Sequence, residues 1–89
     1  MTSQTTTSFK KAFAKLPDNI KQRARSVYRI WIKDPHNKVL RFKKIHKTKP
    51  IYSVRIDINY RALGIMSGTT IVWFWIGSHS DYDKIISQL

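Results

Sequence analysis

The chain contains no cysteine and no glutamate, and its only carboxylate side chains belong to five aspartates. The absence of cysteine excludes disulfides, thiolate nucleophiles and the usual zinc sites. Two-metal cleavage of a phosphodiester needs several carboxylates around the ions, yet only Asp81 and Asp83 are near neighbours in the sequence. We therefore expect no metal site and no small-molecule cofactor.

Long hydrophobic segments are also missing. The longest apolar run, Ile71 to Ile76, is far shorter than the roughly 20 residues that a membrane-spanning helix requires. The first eight residues are polar and rich in Thr and Ser, unlike the apolar core of a signal peptide. These features predict a cytoplasmic protein with no membrane partner.

Positive charge dominates what is present. Lys and Arg contribute 17 residues against five Asp, which gives a formal net charge of +12 in 89 residues. A charge of this size destabilises a compact chain by self-repulsion and favours a polyanionic partner. The length predicts one domain, residues 1–89, and the hydrophobic fraction of 42% is enough for a folded core.

Two amphipathic helices are predicted in the N-terminal half. The first has apolar residues at i, i+3, i+4 and i+7, namely Phe9, Ala12, Phe13 and Leu16. Pro17 ends it, and Asp18 is predicted to cap the second helix. The inner face of that helix should consist of Ile20, Ala24, Val27 and Trp31. It should end at Asp34, because a residue before proline avoids helical angles, and the two helices should form an antiparallel hairpin.

The hydrophobic period then changes to two, which predicts four antiparallel strands. They lie around Leu40–Lys43, Tyr52–Ile58, Tyr60–Ile65 and Thr70–Gly77. Ser80 and Asp83 match a capping box that begins a final short helix. The predicted fold is therefore α+β: a helical hairpin on a four-stranded antiparallel sheet, with a short C-terminal helix. Residues 1–8 are either a frayed tail or a short edge strand.

The hairpin between the second and third predicted strands determines where two arginines point. A two-residue turn at Ile58-Asn59 would pair Asp57 with Tyr60 and send Arg55 and Arg61 to opposite faces. A three-residue turn from Asp57 to Asn59, with Asn59 left-handed, would instead pair the two arginines on one face. We expect the three-residue turn, with an anion between the two guanidinium groups.

Most of the cations that interrupt these strands fall between Leu40 and Arg61, a stretch with Asp57 as its single carboxylate. The candidate phosphate-binding residues are Arg41, Lys43, Lys44, His46, Lys47, Lys49, Arg55 and Arg61. Arginine offers forked donors and lysine a point charge to phosphate oxygens. A generically solvated strand face is the alternative interpretation of this pattern.

Two further groups are candidates for chemistry or stacking. His79 follows the last predicted strand as a possible proton donor or acceptor, although it could equally be a loop residue that assists a helix start. Tyr82 could lie in the core or direct its hydroxyl to the same space. The aromatic run Trp73–Trp75 is typical of a buried central strand, and a base-stacking platform is the alternative for any open face.

This composition suits metal-free cleavage of RNA. RNA carries its own nucleophile, the 2′-hydroxyl, so that cleavage needs only a base, an acid and cations for the phosphorane charge. A lysine among many cations loses its proton more easily, which makes Lys43, Lys44 or Lys47 a candidate base.

Three motifs resemble the RelE/ParE superfamily of bacterial type II toxins. They are L-R-F-K-K-I from residue 40, Y-S-V-R-I-x-x-x-Y-R from residue 52, and W-I-G-S-H-x-x-Y-D-K-I from residue 75. The last is most similar to HigB-type members, and the likeness extends from Phe9 to Ile86. Two departures from the family are Ser80, where many members have a basic residue, and the lack of a glutamate base.

The resemblance implies a RelE-like fold and a toxin that enters the ribosomal A site and cuts mRNA. It implies catalytic positions at Arg55, Arg61, His79 and Tyr82, with Lys43, Lys44 and His46 on the adjoining basic strand. It also implies an antitoxin that wraps the basic face. Because the superfamily includes gyrase-poisoning toxins without nuclease activity, that function and a non-catalytic RNA-binding module remain alternatives.

Overall fold

The computed structural model describes all 89 residues as five strands and three α-helices. The strands are β1 (Thr2–Thr5), β2 (Lys43–Lys44), β3 (Ile51–Asp57), β4 (Tyr60–Ser67) and β5 (Thr70–Ser78), and the helices are α1 (Thr7–Ala14), α2 (Asp18–Lys33) and α3 (His79–Ile86). The sheet order is β1-β5-β4-β3-β2, and β1 runs parallel to β5 while the other neighbours are antiparallel. No helix is both long enough and apolar enough to cross a bilayer.

The two faces of the sheet carry different helices. Alternate residues of β3 and β4, such as Val54 and Ala62, face a core formed with α1 and α2. The predicted inner face of α2 is confirmed, since its buried residues are Ile20, Ala24, Val27 and Trp31. On the opposite face, Ile51 and Leu63 are buried with Tyr82 of α3. We call this second face the α3 face.

The sheet differs from the predicted four strands at both edges, by an added strand at one and a shorter strand at the other. Residues Thr2–Thr5 form the edge strand that was one of two alternatives, which makes the sheet five-stranded and mixed. At the other edge only Lys43 and Lys44 pair with β3. Leu40 belongs to a short 3-10 helix, Lys38–Leu40, and Arg41 has a left-handed backbone with φ of 46°. A left-handed residue cannot continue a strand, so β2 begins only after it.

The helix ends also differ from prediction. Thr6 caps α1 by accepting a hydrogen bond from the Phe9 N–H at 3.1 Å. Asp18 is the first residue of α2 rather than its cap. Ser78 caps α3, because its Oγ accepts from the Asp81 N–H at 3.2 Å. The helix therefore begins at His79, before the predicted cap at Ser80.

Candidate functional site

The β3–β4 hairpin combines features of both turns that the sequence allowed. Its turn contains two residues, Ile58 and Asn59, so that Asp57 pairs with Tyr60, and the predicted three-residue turn was wrong. A β-bulge at Ile56 nevertheless shifts the register, and Arg55 pairs directly with Arg61. The Asn59 N–H donates to Asp57 Oδ1 at 2.8 Å, and Asn59 does not have the left-handed backbone that we expected.

Register fixes which lysines share a face with this arginine pair. Cross-strand partners share a face, as do residues two apart on one strand. Lys43 pairs with Ser53, two residues before Arg55, and therefore lies with both arginines on the α3 face. Lys44 pairs with Tyr52 and lies on the opposite face. The two adjacent lysines are thus separated by the sheet.

Arg61 is held in place by backbone carbonyls. One of its terminal nitrogens, Nη1, donates to the carbonyl oxygens of Asp57 and Tyr60, the latter at 3.0 Å. Burial lowers the pKa of Arg61, and the positive charge of Arg55 lowers it further. The charges of Tyr82 and Asp57 act in the opposite direction and raise the pKa of Arg61, whereas the positive charge of Arg41 lowers it further. Arg61 therefore keeps a charge that its surroundings disfavour, as expected where an anion is to bind.

The pairing of β4 with β5 brings the last helix to the same place. Gly77 lies opposite Arg61, and Ser78 lies opposite Tyr60. The His79 N–H then donates to the carbonyl oxygen of Asn59 at 2.7 Å, which ties the start of α3 to the β3–β4 turn.

Three aromatic side chains line up beside this junction. The rings of His79 and Tyr82 are 5.8 Å apart between centroids, and those of Tyr82 and Trp75 are 6.2 Å apart. The exposed His79 also has its Nδ1 3.5 Å from a carboxylate oxygen of Asp83. The structure therefore gathers an imidazole, a phenol and an indole near the arginine pair.

Trp75 belongs to the aromatic run for which the sequence predicted a buried central strand, with a base-stacking platform as the alternative. It pairs with Leu63 on the α3 face and is only half-buried, whereas Trp73 is 5% exposed and belongs to the core under the other helices. Strict alternation along β5 would have placed both tryptophans on one face, but a bulge opposite Leu63 and Gly64 changes the phase between them.

Gly77 provides the space that Trp75 occupies. A Cβ at Gly77 would lie 2.7 Å from Cζ2 of the Trp75 ring. The ring therefore lies against the backbone of the residue opposite Arg61. A flat apolar surface next to a guanidinium suits a base next to its phosphate.

The remaining candidate residues lie away from this cluster or are engaged elsewhere. His46 uses both ring nitrogens: Nδ1 accepts from the N–H groups of Thr48 and Lys49, at 3.2 and 3.0 Å, and Nε2 is 2.9 Å from the Leu89 carbonyl oxygen. The imidazole thus orders its own loop and has no nitrogen free for a phosphate. Lys47 is exposed in the same loop.

Comparison with known proteins gives a family and a fold. The family model described as ParE-like toxin domain matches residues 18–84, whereas no curated protein sequence matches.

Similar solved structures include the RelB-RelE antitoxin-toxin complex from Methanococcus jannaschii (24% identity, 91% of this chain and 96% of that chain, TM-score 0.73). They also include YafQ from E. coli (9%, 90% and 94%, TM-score 0.72) and the YoeB/ParE toxin from Agrobacterium tumefaciens (14%, 89% and 99%, TM-score 0.69). At these identities the likeness establishes the RelE-like fold.

Proposed function

The chain belongs to the ParE-like toxin family, and from this premise we propose that it is the toxin of a type II toxin–antitoxin pair that cleaves mRNA on the ribosome. The observation that carries the proposal is the pairing of Arg55 with Arg61 on the α3 face, next to His79 and Tyr82. Two guanidinium groups that share a strand pair and have no carboxylate bonded to them form a site for a backbone phosphate.

Cleavage in this proposal follows from the nucleophile that RNA carries. The 2′-oxygen loses its proton and bonds to phosphorus, the bond from phosphorus to the 5′-oxygen breaks, and that oxygen receives a proton. The products are a 2′,3′-cyclic phosphate and a 5′-hydroxyl. Arg55 and Arg61 stabilise the negative charge that grows on the phosphorane oxygens.

Proton transfer is assigned to His79, whose exposed ring lies beside Tyr82. A histidine is the side chain best suited to exchange protons near neutral pH. Trp75, which is only half-buried, offers a surface on which a base flanking the cut can stack, and the buried ring of Tyr82 packs beside it. Lys43, on the same face, adds a point charge for a neighbouring phosphate.

An antitoxin is the proposed protein partner. Two structures of similar fold contain RelE with RelB, from Methanococcus jannaschii and Pyrococcus horikoshii. A chain with a net charge of +12 offers strong complementarity to an acidic partner. We propose that the antitoxin covers the basic α3 face and prevents RNA from reaching the arginines.

The test is primer extension on cellular mRNA after brief induction. Wild type should produce new 5′ ends within codons, and Arg61→Gln and His79→Gln should remove them while the proteins remain folded. Arg29→Gln is the matched control, because Arg29 is an exposed arginine on α2 that makes no ion pair. Cleavage that persists in both site variants would reject the site.

The family description also names ParE, so a toxin that inhibits gyrase without cutting RNA is the second candidate. Induction would then leave transcripts whole and produce DNA breaks and an induced DNA-damage response. A basic module that binds RNA without cleavage would give neither result.

A further inference from the structure

A cleft lies along the part of β3 that the short strand β2 does not cover. β2 pairs only with Tyr52 and Ser53, so that the rest of β3 up to Asp57 has no neighbouring strand on that side. The space between this edge, α2 and the 3-10 helix has a volume of about 420 Å³. We call it the edge cleft, and its apolar walls are Val27, Ile30, Val39 and Ile56.

All the charged residues that line the edge cleft are cationic, and they are Arg23, Lys38, Arg41 and Arg55. No aspartate lines the cleft, and none of the four cations is in an ion pair. Cations of one sign in a concave space with apolar walls add to a positive potential that is stronger than on a flat surface. The edge cleft should therefore attract an anion.

Two of these arginines are held at the cleft by the protein itself. Arg23 Nε donates to the carbonyl oxygen of Ile56 at 3.1 Å, and Ile56 is the residue that the β-bulge leaves out of the pairing. This bond uses one of the five N–H donors of the guanidinium. Arg41 has a left-handed backbone, with φ of 46° and ψ of 40°, a conformation that is uncommon outside glycine and often occurs at binding sites. Positions that are fixed in advance lower the entropic cost of binding.

The edge cleft is continuous with the arginine pair of the α3 face. Arg55 belongs to both, because it pairs with Arg61 and also lines the cleft. Arg41 is close enough to Arg61 for its charge to lower the pKa of that residue. Cationic side chains therefore extend from the α3 face, around the uncovered edge of β3, to α2.

From these features we infer that the edge cleft binds a second backbone phosphate of the RNA strand, beside the phosphate at the cut. The inference rests on the proposed function, since the phosphate between Arg55 and Arg61 sets the position of the strand. A positively charged groove that follows the backbone is the usual way to bind single-stranded RNA. An acidic protein segment is the competing occupant, but the continuity of the cleft with the arginine pair favours the strand that this pair holds.

The salt dependence of RNA binding by the full chain tests the inference. The ligands are 2′-O-methyl RNAs, which have no free 2′-hydroxyl to attack the phosphate: a dinucleotide with a single phosphate, and an octanucleotide. The double variant Lys38→Gln/Arg41→Asn removes two cations from the cleft, and asparagine tolerates the left-handed backbone. The log–log slope for the octanucleotide should fall by about 0.7, the contribution of one phosphate. The slope for the dinucleotide should stay the same.

A matched double variant controls for net charge. Arg29→Gln/Lys33→Gln removes two exposed cations of α2 that lie outside the edge cleft, and it should change neither slope. An equal fall in the control, or an equal fall for both ligands in the cleft variant, would mean that only the total charge matters. Either result would overturn the inference.

Arg61→Gln in the same titrations separates this inference from the proposed function, because it should lower both slopes. If it does so while the cleft variant lowers neither, the edge cleft is rejected and the arginine pair stands as an RNA site. If only the cleft variant has an effect, the cleft binds a phosphate and the proposed cleavage site is rejected. A cleft variant that binds RNA normally but has lost affinity for polyglutamate would assign the cleft to an acidic protein segment instead.

An added cation provides a test in the opposite direction. Val39 lines the edge cleft and is 60% exposed, so that Val39→Lys needs no repacking of the core. At low salt this variant should bind the octanucleotide about two- to fivefold more tightly, the value of an exposed ion pair. Ile32→Lys adds the same charge at a site that is 47% exposed and outside the cleft. Equal gains in the two variants, or no gain in Val39→Lys, would overturn the inference.

Discussion

Arg55 makes no hydrogen bond and no ion pair through its side chain, yet it lies directly opposite another arginine. Like charges on paired strands destabilise a sheet, and the carboxylate nearest in the sequence, Asp57, uses one oxygen to accept from the Asn59 N–H. The folded protein therefore carries a local repulsion that Asp57 and Tyr82 oppose only in part and that a bound anion would relieve. Such a residue is expected to serve binding rather than stability.

Replacing Arg55 should accordingly stabilise the protein. Arg55→Gln removes the repulsion with Arg61 and should raise the free energy of unfolding by about 0.2–1 kcal/mol, measured by urea denaturation. The same variant should lose most of its RNA cleavage. Arg29→Gln, which lowers the net charge equally, separates the local effect from the general one. A less stable Arg55→Gln would mean that the arginines do not repel each other in the folded state.

Any side chain introduced at Gly77 should displace the ring of Trp75. In Gly77→Ala the new methyl group meets Cζ2 of the indole at 2.7 Å, so the ring must move away from the strand. We expect a shift in tryptophan fluorescence and weaker binding of single-stranded RNA. Gly68→Ala is the comparison, since a Cβ there meets nothing within 4 Å, although its φ of +60° makes that substitution costly for another reason. An unchanged RNA affinity in Gly77→Ala would remove Trp75 from the binding surface.

At the scale of elements, the start of α3 determines where the imidazole lies. His79 is the first residue of the helix, and its N–H is bonded to the β3–β4 turn. The cap residue Ser78 is therefore the link between the sheet and the proposed proton-transfer group. Its loss should affect the chemistry as well as the helix.

Two N-cap variants separate these effects. Ser78→Ala and Thr6→Ala each remove a side-chain oxygen that caps a helix, and each should cost about 0.5–2 kcal/mol of stability. Cleavage, measured at a temperature where both proteins are folded, should fall in Ser78→Ala alone. Equal activity in the two variants would show that the cap does not position His79.

The same elements show how far the sequence could be interpreted. The buried face of α2 was predicted correctly, because the apolar residues around Val27 recur at the spacing of one helical turn. The pairing of Arg55 with Arg61 was also predicted, but through the wrong turn. The position of a β-bulge depends on the pairing along the whole length of two strands. The residues Asp57 to Asn59 alone do not determine that pairing. In the same way, nothing in Leu40–Lys43 indicates the left-handed backbone at Arg41 that shortens β2.

For the whole molecule, charge is the dominant quantity. Against a net charge of +12 there is one close Lys–Asp pair, Lys21 with Asp18 at 4.0 Å, and one contact of an imidazole with a carboxylate, His79 with Asp83 at 3.5 Å. Repulsion between the many cationic side chains therefore exceeds attraction between opposite charges across the surface. Added salt should weaken the repulsion more than the attraction. Salt should have opposite effects on the free protein and on its complex with RNA.

Increasing the NaCl concentration from low to physiological values should raise the thermal unfolding midpoint, because it screens the net repulsion. Over the same range the affinity for single-stranded RNA should fall linearly on a log–log plot. Arg55→Gln should reduce that slope by about 0.7, the contribution of one phosphate contact on a single strand. A midpoint that falls as NaCl is added would contradict this account of the charge balance.

The bulge at Ile56 makes the facing of the two arginines depend on the number of residues between them. Of the five intervening residues, Ile56 is left out of the pairing, and this omission is what places Arg55 opposite Arg61 across a two-residue turn. One residue added to β3 beside the bulge would shift the pairing by one position and turn one arginine towards the hydrophobic interior under α2. Removal of Ile56 itself would leave the two arginines opposite each other. This segment should therefore tolerate many exchanges of one amino acid for another, but an added residue should abolish the phosphate site.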